Sequence, residues 1–150
     1  MTATPVPATV LLVEDDPGDA LLITEALQAI KAPRHVHVVG DGQPALDFLH
    51  RRGQYADAVR PDLVLLDLRL PRMSGRQVLT AMKGDAGLRA IPVVVLSASG
   101  AEADIVGSYG EHANAYVTKP TDALALAEAV RAIDELFTTV ARRPPEHAGG

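Results

Sequence analysis

An α/β protein with five strand–helix units wound into one parallel sheet, strands in the order 2-1-3-4-5, is predicted by three features of this 150-residue chain. Four short runs are almost continuously apolar and rich in Val, Leu and Ile; a weaker fifth follows them; stretches with helical spacing lie between. Continuous apolar runs without in/out alternation suit strands covered on both faces, as in parallel sheets. Strands alternating with helices then imply right-handed crossovers and helices on both sides of the sheet.

The elements follow in order. TVLLV (9 to 13) is the first strand. Pro17 suits a first helical turn, and Ile23, Ala26, Leu27 and Ile30 fall at i, i+3, i+4, i+7, so a helix over 17–31 gathers them on one face. Leu21 and Leu22 flank that stripe, one of them facing outward. HVHVV (35 to 39) is the second strand, with His35 and His37 on one face in structural roles, and a short helix follows at 42–51. DLVLLDL (62 to 68) is the third strand, with a helix at 75–84; IPVVVLS (91 to 97) is the fourth, with a helix at 101–109 weakened by Gly107. AYVT (115 to 118) is the fifth. Leu126, Ala129, Val130 and Ile133 repeat the helical stripe after it, capped by Thr121 or Asp122. One domain over 9–138 is expected, with residues 1–8 and 139–150 as flexible tails on their Pro and Gly content.

Composition excludes several function classes. A net charge of −5 repels phosphate backbones, and 3% aromatic residues with no Trp provide little for base stacking, so nucleic acid and anionic membrane are not expected partners. The absence of Cys removes disulfides, thiolate metal sites and thiol catalysis. MTATPVPA has neither a basic nor a long apolar region, and no apolar run reaches the ~20 residues of a membrane span, so a cytoplasmic location is the default.

In a doubly wound sheet, ligands sit beyond the carboxyl ends of the strands, where the strand order reverses between strands 1 and 3. Glu14, Asp15 and Asp16 follow strand 1, Asp67 ends strand 3, Ser97 ends strand 4, and Lys119-Pro120 follows strand 5. Two unit charges ~4 Å apart repel by about 4 kcal/mol at an effective dielectric of 20, so clustering Glu14, Asp15 and Asp67 asks for a cation. Oxygen donors without His or Cys favour Mg²⁺ or Mn²⁺. Ser97 and Lys119 suit a phosphoryl group, whose oxygens need a hydroxyl donor, an amine and a metal; Asp67, on the central strand, is the carboxylate placed to carry it. Asp16 reads as a capping or solvated residue. DDPGD lacks the spacing and central Gly of a calcium loop.

VEDD, LLDLRLPRMSG, VVVLSAS and YVTKP, in this order and spacing, make residues 9 to 138 resemble a response-regulator receiver domain, a flavodoxin-like fold. VEDDPGDALLI, RRGQYADAVRPDLVLLDL and PTD further resemble single-domain regulators that partner phytochrome histidine kinases. The resemblance implies Glu14 and Asp15 as the acidic metal pair, Asp67 as phosphoacceptor and the Arg69 backbone carbonyl as completing the metal shell. It implies Ser97 and Tyr116 as switch residues, Lys119 as the phosphate-binding lysine, Pro120 as a cis-proline site, and Met73 and Gly75 in the loop after the acceptor. Glu14 stands where many members have Asp, and its longer reach leaves direct and water-mediated metal binding both open. Thr121 replaces a frequent Phe. Arg69 and Ser99 occupy positions that tune hydrolysis of the acyl phosphate.

The expected function is that of a stand-alone regulator: little chain remains after residue 138, so the signal leaves through a downstream protein, a phosphorelay partner or self-association. A sensor histidine kinase of phytochrome type, Mg²⁺ (Mn²⁺ as substitute) and a homodimer through helix 4, strand 5 and helix 5 are the implied partners. Catalysis is confined to the chain's own phosphorylation and dephosphorylation. The alternative is an interaction module that works without phosphorylation. A phosphatase on this fold would want an acid two residues after its nucleophile, where Arg69 stands, and a flavin-phosphate loop would be repelled by VEDDPGD.

Overall fold

The computed structural model describes residues 8–29, 34–98 and 101–140. Five parallel strands, β1 (Thr9–Val13), β2 (His35–Val39), β3 (Leu63–Leu66), β4 (Val93–Ser97) and β5 (Ala115–Thr118), form one sheet in the order β2-β1-β3-β4-β5. The helices are α1 (Pro17–Gln28), α2 (Gly42–Leu49), α3 (Gly75–Lys83), α4 (Glu102–Gly110) and α5 (Ala123–Asp134), with a π-helical stretch over Glu135–Val140. The predicted strand order holds.

Every residue of β3 and β4 is buried, because helices cover both faces. On one face α1 and α5 pack Ile23, Ala26, Leu27, Leu126, Val130 and Ile133 against Val10, Leu12, Leu65 and Val94. On the other, α2 and α3 pack Leu46, Phe48, Val78, Leu79 and Met82 against Leu11, Val13, Val64 and Val95. Leu21 is 59% exposed, while Leu22 is partly buried against the α1/α5 core.

Some expectations need correction. HVHVV is an edge strand: His35, His37 and Val38 are exposed and only Val39 is buried, because β2 pairs with β1 on one side alone. Its apolar run therefore does not signal cover on both faces. The His37 ring lies 4.5 Å from that of Phe48 and edge-on to Tyr55 at 5.6 Å, a structural role as expected. There is no cis peptide bond among the described residues, so Lys119–Pro120 is trans, contrary to the expectation for Pro120. Asp122, and not Thr121, caps α5 by accepting from the Ala125 N–H. Ala8, assigned to a tail, is buried and its carbonyl accepts from His35 N–H. Residues 139 and 140, also assigned to a tail, belong to the π-helical stretch, while the rest of both expected tails and Ile30 of the helix stripe lie outside the described residues. No helix among the described residues is long and apolar enough to cross a membrane.

Candidate phosphoryl and metal site

The site is built where β1, β3, β4 and β5 end side by side. The register brings Val13 beside Leu66 and Ser97 beside Thr118, so the next residues along β1, β3 and β5 share one rim of the sheet. Backbone bonds fix them: Glu14 N–H donates to Val39 O (2.9 Å), Asp67 N–H to Val13 O (3.0 Å) and Lys119 N–H to Ser97 O (2.7 Å). α1 starts just beyond. The Asp16 carboxylate caps it by accepting from Gly18 and Asp19 N–H at 2.8 and 3.0 Å, with Pro17 in the first turn. Asp16 is thus a cap, as its sequence setting indicates.

Asp67 is 7% exposed and held at both oxygens. Oδ1 accepts from the Ser97 hydroxyl at 3.0 Å and the Arg69 N–H at 3.2 Å; Oδ2 meets Lys119 Nζ at 3.3 Å. Lys119 also reaches Glu14 Oε1 at 2.9 Å and Asp19 Oδ2 at 3.0 Å. Glu14 is 3% exposed and Ser97 fully buried, whereas Asp15 is exposed.

The loop after β3 comes close for a specific reason. Gly75 N–H donates to Leu68 O at 2.9 Å, and a Cβ on Gly75 would fall on the Asp67 carbonyl oxygen and 2.7 Å from Leu68 Cα. Only glycine fits there. Asp41, the cap of α2, ties the same loop by accepting from Met73 N–H at 3.0 Å, and those backbone donors hold its carboxyl below the usual range.

The electrostatics are those of a crowded anionic site. Burial, then the neighbouring Asp67 carboxylate, push the Glu14 carboxyl from 4.5 up to about 8, against the pull of Lys119. Burial also raises Asp67, but the hydrogen bonds it accepts and the Lys119 charge more than offset this and leave it low. Lys119 is desolvated, yet its carboxylate partners hold its ammonium firmly protonated. Glu14, Asp15 and Asp67 can each bring one carboxylate oxygen within 4.8 Å of the others. This all-oxygen set of crowded carboxylates fits a hard divalent cation.

Glu14, Asp15, Asp67, Ser97 and Lys119 therefore converge. The Arg69 side chain turns outward to α4, with Nη2 3.7 Å from Asp104. Tyr116 is half-buried on β5 against the α2/α3 core, and its N–H donates to the Tyr109 hydroxyl at 3.1 Å. Ser99 lies outside the described residues. Sequence reasoning missed Asp19. A signal was present: Asp19 stands four residues before Ile23 and extends the buried stripe of α1 by one turn toward the strand ends.

Comparison with known proteins agrees with this arrangement. Residues 10–131 match the response regulator receiver domain. Response regulator Rcp1 of Synechocystis sp. is 38% identical over 138 residues, 92% of this chain and 94% of that protein. The crystal structure of the phosphorylated cyanobacterial phytochrome response regulator RcpA superposes with a TM-score of 0.90 at 44% identity, covering 93% of this chain and 100% of that one. The Mn²⁺-bound form of Rcp1 gives 0.87 at 37% identity, with coverage of 93% and 100%. With its strand order, its rim of carboxylates, serine and lysine, and a family match spanning nearly all of the sheet and its helices, this chain belongs to the response-regulator receiver family.

Proposed function

We propose that the chain accepts a phosphoryl group on Asp67 from the phosphohistidine of a sensor histidine kinase, and that this changes its affinity for a partner protein. The observation that carries the reading is a buried Asp67 held at one oxygen by Ser97 Oγ and at the other by Lys119, beside the Glu14–Asp15 pair. Glu14, Asp15, Asp67 and the Arg69 backbone carbonyl would hold Mg²⁺ or Mn²⁺. When bound, the metal supplies positive charge against the carboxylates and the phosphoryl oxygens.

In the transfer, a carboxylate oxygen of Asp67 forms the new O–P bond as the N–P bond of the donor breaks, its electron pair returning to the imidazole. The chain contributes alignment and charge. Arg69 N–H fixes the carboxylate plane, the Lys119 ammonium faces the entering negative charge, and the Ser97 hydroxyl lies where it can turn from the carboxylate to a phosphoryl oxygen.

Output would leave through α4, β5 and α5. Arg69 links the acceptor loop to Asp104 on α4, and Tyr109 of α4 bonds the backbone of Tyr116, so a change at Asp67 has a physical route to that face. We take this face to serve homodimerisation or a downstream partner, with Tyr116 and Ser97 as the switch pair. The similarity to RcpA and Rcp1 supports a phytochrome-type kinase as donor, and a cytoplasmic site of action follows from that partner. Incubating the protein with acetyl phosphate and Mg²⁺ should add one phosphoryl group by intact mass, and Asp67→Asn should add none. Equal incorporation in both proteins overturns the assignment.

A further inference from the structure

The geometry points to Asp19 as a positioning residue: the fixed anchor that keeps the Lys119 ammonium over the Asp67 carboxylate while the other partners of Lys119 are taken up by metal and phosphoryl group. The inference rests on the functional reading above and adds a residue to it. Lys119 Nζ pairs with three carboxylates, Glu14 at 2.9 Å, Asp19 at 3.0 Å and Asp67 at 3.3 Å. Glu14 and Asp67 belong to the set that can converge on a cation, and Asp67 is also the acceptor proposed above. Asp19 stands outside that set.

Its own position is secured independently. The Asp16 cap takes the Asp19 N–H at 3.0 Å, and Pro17 sets the first turn of α1. One turn further, Ile23 is locked in the α1/α5 core. The Asp19 backbone is therefore fixed by a cap and a core that do not include Asp67, and it places the carboxylate within reach of Lys119. A lysine on a four-carbon stem loses its single geometry when its partners leave, so one partner that stays preserves alignment for the incoming phosphoryl oxygens.

The test compares wild type, Asp19→Ala and Asp19→Glu in the full chain. Because the Asp19 side chain is about a third exposed, its loss should leave folding intact and cost alignment, a rate effect of about tenfold. The maximal rate of phosphoryl incorporation from acetyl phosphate with Mg²⁺ should fall about tenfold in Asp19→Ala, with the half-saturating donor concentration within twofold. Asp19→Glu should recover most of that rate. A second readout needs no turnover. The ¹⁵N-resolved ammonium signal of Lys119, slowed in exchange by burial and charge-assisted bonds, should survive saturating Mg²⁺ in wild type and broaden away in Asp19→Ala. A wild-type rate in Asp19→Ala, or an ammonium signal that persists as in wild type, overturns the anchor while leaving Asp67 as acceptor. Should wild type take up no phosphoryl group, the functional reading falls, and the ammonium comparison still decides whether Asp19 holds Lys119.

Discussion

Glu14→Gln should stabilise the metal-free protein at neutral pH and weaken its response to Mg²⁺. Glu14 is 3% exposed and its carboxyl is pushed from 4.5 up to about 8, first by burial and then by Asp67. A raised carboxyl means that the native state binds more protons than the unfolded chain between these two values. Stability from this group is therefore complete below pH 4.5 and falls as the pH rises through the window to about 8. At about 1.36 kcal/mol per pH unit, the loss reaches roughly 3 kcal/mol at pH 7. Gln mimics the protonated form, since its amide can donate to Asp67 and its carbonyl can accept from Lys119, so it should recover about that amount. Urea unfolding in EDTA from pH 5.5 to 8.5 measures it; Asp67, whose carboxyl is held low, titrates below that range. On the proposed metal site, Mg²⁺ should stabilise wild type increasingly as pH rises, because Glu14 would face the ion in its ionised form, and should stabilise Glu14→Gln less. A wild type in EDTA with flat stability over this range, or a Gln variant no more stable at pH 7, refutes the electrostatic account.

Three further substitutions probe the packing of the fold at and away from the rim. Gly75→Ala drives a Cβ into the Asp67 carbonyl and Leu68 Cα, and should destabilise by about 3 kcal/mol or more in thermal or urea unfolding, as overpacking against backbone has little room to relax. Arg34 donates from Nε to both oxygens of Asp134 at 3.0 and 3.2 Å, with side chains only 10% and 3% exposed; Arg34→Ala removes this charge-assisted pair and should cost about 2 kcal/mol by the same measurement. Ser97→Ala removes a buried hydrogen bond to Asp67 and should cost about 1 kcal/mol of stability. Its phosphorylation rate with acetyl phosphate should fall about tenfold, because the donor that would turn from Asp67 to a phosphoryl oxygen is lost.

How much of this could be read in the sequence depends on the range of each signal. Strand runs and helix stripes are local, so β1, β2 and β5 begin and end where TVLLV, HVHVV and AYVT do. β3 and β4 are shorter than their apolar runs: Asp62 turns to the Thr9 N–H, Asp67 begins the site, and Pro92 has no N–H for the ladder. Asp67, Ser97 and Lys119 were legible because a doubly wound sheet delivers strand ends to one rim whatever the side chains. Long-range relations were not. The exposure of β2 follows from its edge position, which an apolar run does not encode, and the Arg34–Asp134 pair joins residues far apart in the chain. Arg76, whose guanidinium lies against Gly107 and pairs with Glu111 at 3.3 Å, turns a glycine that reads as a weak point of α4 into the seat of an α3–α4 contact. Asp19 carries a helical-phase signal, four residues before Ile23, within the dense acids of DDPGD.

The most direct measurement is the chemical location of the phosphoryl group. Borohydride reduction of protein treated with acetyl phosphate and Mg²⁺ turns an aspartyl phosphate into homoserine, which peptide sequencing by mass spectrometry places. Homoserine at position 67, absent when Mg²⁺ is removed with EDTA, is the predicted result. Phosphate carried on any other residue, or incorporation that persists without the metal, would contradict the account.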